Sequence, residues 1–325
     1  MPRPSSPICA TRVTWASGLD GTGPALHNHP SQAAEGTVTH QPNVVIIHDG
    51  DQDYLRTALE RARRAGNTVA HLGFARVSPG WTRFEAAYRH MSTHARIFEL
   101  RCFQRFFVMQ QLMQDQELDG FFHVDSDVLL FDNLHAFEAE HIRPQGIFCG
   151  LHMPLAQPGF RYSYGPQTSY WSRAAVDDFC RFLVASFENL LPALADKWAW
   201  HQETGAAGGI CDMALLYLWA KDRGDIANFA AVIGGGVFDL NINSGENLVK
   251  DEYETRLGRK HIVFRDSQPW CRNLKSGEWV RFRSLHFQGH IKSQMARVAQ
   301  GRGIAAAPIL KENAKNLARR WLGRG

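Results

Sequence analysis

Two carboxylates one residue apart close an apolar run, Phe121-Phe122-His123-Val124-Asp125-Ser126-Asp127, and a second apolar run, Val128-Leu129-Leu130-Phe131, follows at once. Alternation along a strand points Asp125 and Asp127 the same way, and a strand end or turn can aim both at one ion. Two adjacent anions in apolar surroundings need a cation or hydrogen-bond donors to offset their desolvation. Oxygen ligands of this kind suit a hard divalent ion, Mn²⁺ or Mg²⁺, which keeps open positions for water or substrate phosphates. The plain alternative for any Asp-x-Asp is a turn that binds its own backbone. Here the strand before it and the long helix before that favour the metal.

A second group of residues lies far downstream, in Ser284-Leu285-His286-Phe287-Gln288-Gly289-His290-Ile291-Lys292. A neutral imidazole from His286 would complete a site begun by two carboxylates. Gly289 would let the backbone approach a diphosphate closely, and Lys292 would bring a point charge to a phosphate. Those three tasks are what holding a nucleotide diphosphate leaving group requires. His290 competes with His286 for the metal, and spacing does not separate them. A hydrogen-bonded strand histidine is the bland reading of His286.

The elements that must position these groups read as follows. Residues 43–50 form a buried strand ending in a polar turn at Asp49-Gly50, residues 54–65 a helix stopped by Gly66, and residues 68–72 a second strand. This β-α-β opening predicts a parallel sheet. A long helix over 98–118 carries Cys102, Phe106, Met109 and Met113 as its apolar stripe, with Arg101 and Arg105 four apart, and leads into the aspartate strand. Further strands are expected at 146–150, 261–264 and 280–287, a strand end and helix over 169–191, and a helix over 210–219 after Gly208-Gly209. Asp212 lies near the start of that last helix, where an acid is favourable to the macrodipole.

The chain has 325 residues, 44% of them apolar and 21% charged, with a net charge of +4. This is globular composition, and the modest, scattered charge gives no case for nucleic-acid binding. The six cysteines are widely spaced, with no CxxC pair, and read as reduced in a cytoplasmic compartment. Residues 1–42 read as a flexible leader and 43–300 as one domain. Residues 301–325 read as a basic tail: from Lys292 onward there are eight Lys or Arg against one acid, Glu312. A helix over 308–321 would be amphipathic and basic, which suits peripheral contact with anionic lipid.

The strand-borne Asp-x-Asp with a late His-x-x-Gly-x-x-Lys resembles the nucleotide-sugar glycosyltransferases of the GT-A fold. It is most like the family 8 type, the retaining galactosyl- and glucosyltransferases and glycogenin-like enzymes. The resemblance spans roughly residues 43–295. Ser293-Gln294 stands where that family usually has Pro-Trp, and Gly165 to Trp171 where an Asn-x-Gly acceptor segment is common. The resemblance implies an α/β fold with a mixed, mainly parallel sheet flanked by helices. It implies Mn²⁺ or Mg²⁺ held by Asp125, Asp127 and His286 against the phosphates of a UDP-sugar. Asp125 and Ser126 would also serve the nucleotide, Asp49 and Gly50 would contact uracil or ribose, and Gly289 and Lys292 the diphosphate. Arg105, ahead of Arg101, would reach the donor sugar or phosphates. Asp212 would stand beside sugar and acceptor, as general base in an inverting enzyme or as an orienting group in a retaining one. The implied reaction is hexosyl transfer, with retention preferred, to a saccharide, lipopolysaccharide or other glycoconjugate acceptor.

Three rivals are weaker. A haloacid dehalogenase-type phosphohydrolase wants Thr or Val where Leu129 stands, and an EF-hand loop starting at Asp125 needs Gly and Glu where Leu130 and Ala136 stand. A non-catalytic GT-A protein that only binds nucleotide-sugar would share the same ligands. Trp171, Trp198, Trp200 and Trp270 are candidates for sugar stacking, with core filling the commoner use of such residues.

Overall fold

The β-branched run Val44-Val45-Ile46-Ile47 forms β1 (Val44–Ile47), every side chain of it buried. This computed structural model describes residues 41–306. Residues 1–40 of the expected leader and the expected tail helix over 308–321 lie outside that range. After β1 come α1 (Asp53–Arg64), β2 (Val69–Leu72), α2 (Gly80–Ala87) and α3 (Arg96–Gln116), then β3 (Gly120–Val124), β4 (Val128–Leu130) and α4 (Leu134–Phe137). β5 (Cys149–His152), β6 (Gly165–Ser172), α5 (Arg173–Glu188), α6 (Pro192–Thr204) and α7 (Asp212–Ala220) make the middle of the chain. β7 (Ile226–Asn228) and β8 (Gly236–Phe238) precede four short strands, β9 (Thr255–Arg256), β10 (Arg259–Lys260), β11 (Val263–Arg265) and β12 (Gln268–Arg272). β13 (Trp279–His286) and α8 (Met295–Ala299) follow.

The main sheet has the order β2-β1-β3-β6-β5-β7. β1 runs parallel to β2 and β3, and β5 parallel to β7, while β6 alone is antiparallel to both neighbours. This is the mixed, mainly parallel sheet flanked by helices that the sequence led us to expect. Strand alternation sorts the core into two layers. Val45, Ile47 and Phe121 meet Phe84, Phe103, Phe106, Phe179 and Leu215 from α2, α3, α5 and α7. Val44, Ile46 and Phe122 face the other way, onto Leu55 and Ala58 of α1 and Leu129, Phe282 and Leu285 of a second sheet.

That second sheet, β11-β12-β13-β4, is antiparallel, with β8 added parallel to β13. The chain leaves the main sheet at Val124 and enters the second at Val128, so Asp125-Ser126-Asp127 is the turn between sheets rather than a continuation of the strand. The Val128 N–H donates to the Asp125 carbonyl (3.1 Å), which closes the turn. The strand expected at 146–150 lies instead at Cys149–His152, because Gly146 takes φ +59° and ends a 3₁₀ turn first. The strand expected at 261–264 lies at β11, Val263–Arg265, while β9, β10 and β12 have no sequence periodicity long enough to announce them. Trp171 is completely buried, stacked on Trp219 and edge-on to Phe106, and so fills the core. Among the described residues, no helix is long and apolar enough to cross a membrane.

Gly209 positions the start of α7. A Cβ there would stand 2.3 Å from the Met91 carbonyl oxygen, so only glycine permits the two backbones to pass. The contact is sealed by Ile210 N–H donating to Met91 O (2.7 Å) and Thr93 N–H donating to Gly208 O (2.9 Å). The loop before α3 and the loop before α7 are thereby held together.

Candidate functional site

At the carboxyl ends of β1 and β3 the chain forms a cavity of about 690 Å³. This is where open α/β sheets usually take ligands. Asp49, Arg105, Asp125, Ser126, Asp127, Asp212, His286, Gly289 and Lys292 all line it. Gly50, expected at the nucleotide, does not; its φ of +91° gives it a local backbone role in the turn after β1.

Asp125 is anchored by its own N–H, which donates to the Gln167 carbonyl of β6 (2.9 Å). Asp127 is anchored from the second sheet: its carbonyl accepts the Phe287 N–H (2.8 Å), and Val128 pairs with His286 in the β4–β13 register. The pairing carries His286 to Asp127, Nε2 to Oδ1 at 3.5 Å. One ligand atom each from Asp125, Asp127 and His286 lies within 4.8 Å of the others. His290, the competing imidazole, is exposed and contacts Arg259 instead.

The donor set fits a hard divalent ion. The Leu240 carbonyl accepts the His286 Nδ1–H at 2.8 Å, which leaves the Nε2 lone pair facing the aspartates. Asp239, fully buried, accepts the His286 N–H at 3.0 Å and pairs with the equally buried Lys260 at 2.9 Å, so the strand end is held from behind. Burial alone would raise the Asp127 pKa, but the imidazole and the Lys292 ammonium, 3.0 Å from Oδ2, overcome it and hold the carboxyl down at about 2. Burial would lower the His286 pKa, and Asp127 outweighs that and raises it. Both shifts express the same preference, for positive charge beside Asp127.

Arg105 occupies the far side. Its guanidinium, 13% exposed, donates to Asp125 Oδ1 at 2.7 Å and lies 3.1 Å from Asp212 Oδ2. Asp212 opens α7 and is buried; that burial, with Asp125 and Glu99 nearby, raises its pKa to about 6 against the pull of Arg105. Arg101 stays at the rim, pairing with Asp49 at 3.3 Å. Ser126 Oγ lies 3.2 Å from His48 Nδ1. His48 and the buried His123, whose Nε2 is 3.7 Å from Asp125, are wall residues the sequence did not single out. His123 sits in β3 and His48 directly follows β1, and in such apolar runs a lone histidine is not marked as functional.

A second cavity of about 430 Å³ shares Gln167, Met213, His286 and Gln288 with the first. Pro154, Gln157, Arg161 and Ser163 bring the loop before β6 into its wall.

No family model and no curated protein sequence matches the chain. Among solved structures it is similar to a glycosyltransferase involved in glycosylation of the major capsid of PBCV-1, at 11% identity and TM-score 0.41, over 80% of this chain and 99% of that one. It is also similar to mouse xyloside xylosyltransferase 1 (12%, TM-score 0.39, 57% and 84% of the two chains). A third is the galactosyltransferase LgtC in complex with donor and acceptor sugar analogs (13%, TM-score 0.34, 57% and 72%). At these scores the likeness is loose.

Proposed function

We propose that this chain is a metal-dependent glycosyltransferase that moves a hexose from a UDP-sugar to a saccharide or glycoconjugate acceptor with retention at the anomeric carbon. The observation that carries the reading is the convergence of Asp125, Asp127 and His286 from two sheets on one cavity, with Lys292 beside them. Mn²⁺ or Mg²⁺ held by those three residues would supply Lewis acidity and neutralise charge on the departing diphosphate. Lys292 adds a second positive charge to the phosphates, and Gly289, with φ +72° and open space where a Cβ would be, lets them come close to the backbone. Asp49 and Ser126 would contact the nucleoside.

In the transfer, the acceptor oxygen bonds to the anomeric carbon as the bond to the diphosphate breaks. UDP leaves with the electron pair and takes up the hydroxyl proton. Asp212 shares Arg105 with Asp125, which suits orienting a hydroxyl better than acting as a free base. This favours retention. The second cavity, adjoining the first at His286, suits the acceptor. The five described cysteines are all unpaired, which supports a reducing, cytoplasmic location.

A thermal-shift screen of nucleotides and nucleotide-sugars, with and without Mn²⁺, tests this. Stabilisation by UDP and a UDP-hexose that requires the metal is the expected result. No response to UDP with Mn²⁺, or a stronger one to another nucleotide, overturns it.

A further inference from the structure

The cavity has one wall that the roles above leave unused. Glu99, in the first turn of α3, is completely buried. Its Oε1 accepts the Ser92 hydroxyl at 2.7 Å and lies 2.9 Å from His94 Nδ1, while Oε2 has no hydrogen-bond partner. Burying a carboxylate this incompletely satisfied is costly, so its retention at the edge of a ligand cavity calls for a use.

The consequence falls on His94. A carboxylate can only accept, so Nδ1 carries the proton and Nε2 is left as a bare acceptor. The His94 side chain is half exposed and lines the cavity. Beside it stands Phe98, 56% exposed and lining the same cavity, its ring edge-on to the imidazole with centroids 5.6 Å apart. A hydroxyl acceptor next to an uncovered aromatic face is the chemistry that recognises a carbohydrate ring, which presents O–H groups at its edge and C–H groups on its face.

The placement agrees. Phe98 and Arg105 are seven residues apart on one face of α3, about 10 Å along the axis, so this wall lies about two turns from the guanidinium that holds Asp125 and Asp212. The stitched loops around Gly209 hold the His94 segment to the start of α7.

We propose that His94 and Phe98, with Glu99 orienting His94, form a sugar-recognition subsite in which Nε2 accepts a hydrogen bond from a sugar hydroxyl and the Phe98 ring covers the apolar face. The subsite belongs to the transferase reading given above, which decides what carries the sugar. Donor hexose and acceptor sugar offer the same chemistry, and the test separates them.

The full chain and its His94→Ala, His94→Gln and Phe98→Ala variants are titrated calorimetrically with UDP, UDP-glucose and UDP-galactose in Mn²⁺. Methyl glucosides and galactosides are followed by saturation-transfer NMR, which needs no nucleotide. UDP affinity should stay within about twofold of wild type, since neither side chain has a hydrogen bond or ion pair to Asp125, Asp127 or Lys292. One hydrogen bond or one stacked face is worth roughly a fivefold to tenfold change. A loss of that size for the UDP-hexose alone identifies the donor sugar, and for the glycoside alone the acceptor, with His94→Gln recovering part of it. Glu99 is a positioning residue, so the ¹⁵N shifts of the His94 ring should report the Nδ1–H tautomer in wild type and its loss in Glu99→Gln; an unchanged tautomer removes Glu99 from the subsite. Wild-type affinities for UDP-hexoses and glycosides in both alanine variants overturn the subsite while leaving the transferase reading intact. Absence of UDP binding in wild type overturns the transferase reading, and the glycoside signals then decide the subsite by themselves.

Discussion

Asp212 touches Arg105 at 3.1 Å, and the same guanidinium holds Asp125 at 2.7 Å. One permanent cation therefore ties the inter-sheet turn to the head of α7. Replacing Arg105 with Met leaves both carboxylates without their cation and should lower unfolding free energy by roughly 3 kcal/mol. Lys recovers only part, because a point charge cannot serve two carboxylates as a planar fork does. Urea unfolding at pH 7 measures this, and a change under about 1 kcal/mol contradicts the bridging role.

Asp212→Asn separates chemistry from binding. Turnover should fall by about two orders of magnitude or more, while UDP and Mn²⁺ affinities stay near wild type. Stability adds an independent check. The native pKa of about 6 lies above the ordinary aspartate value of 3.8, so between these values the unfolded chain releases its proton first and stability falls as pH rises. The variant lacks that loss, so its stability relative to wild type should climb by about 2–3 kcal/mol from pH 4 to pH 7. A flat difference would show that Asp212 does not titrate as its burial demands.

Lys292 and a metal ion compete for Asp127, since the ammonium lies 3.0 Å from Oδ2. Lys292→Met should leave Mn²⁺ affinity equal or higher in the absence of nucleotide, yet weaken UDP by about tenfold. Asp127→Asn should abolish Mn²⁺ binding in both cases. Calorimetry with each ligand alone and together reads all three effects; parallel loss of metal and nucleotide in Lys292→Met would place the lysine in folding rather than phosphate binding.

His152 makes the protein acid-sensitive. Its ring is buried, and burial first of all, with His286 nearby, lowers its pKa to about 3. Below 6.5 the unfolded state takes up the proton and the native state does not, so this contribution is full above pH 6.5 and is lost as pH falls toward 3. His152→Leu should therefore lose about 2 kcal/mol less than wild type between pH 7 and pH 5. Equal losses in urea titrations at the two pH values would contradict it.

Gly209→Ala places a methyl 2.3 Å from the Met91 carbonyl, against backbone rather than a side chain that can swing away. A stability loss of about 2 kcal/mol or more is expected, with turnover falling further than stability alone explains because the head of α7 must shift. Thermal unfolding and kcat at a common temperature check the two parts.

Much of the site was legible in the chain because its parts are local. The apolar run into Asp125, the polar break at Asp127 and the late strand ending at His286 each stand out within ten residues. The β4–β13 pairing that joins them is not a local property, and neither is the exclusion of His290, which the 3₁₀ stretch Gly289–Gln294 turns outward toward Arg259. The Glu99–His94 pair and the Lys260–Asp239 pair escaped notice for a related reason. Charged residues inside mixed sequence look like surface, and only tertiary packing reveals that Glu99, Lys260 and Asp239 are covered. Trp171 went the other way: a residue suited to stacking sugar is enclosed by Trp219, Phe106 and Phe179.

The Asp-Ser-Asp turn joins two sheets, and the strand that completes it, β13, is supplied from far downstream. During synthesis the aspartates emerge first and wait, without their imidazole, until the segments from α4 to β13 have followed. Assembly of the Asp125-Asp127-His286 cluster is thus postponed until β13 pairs with β4, and a truncated product missing β13 retains the acidic motif without its imidazole.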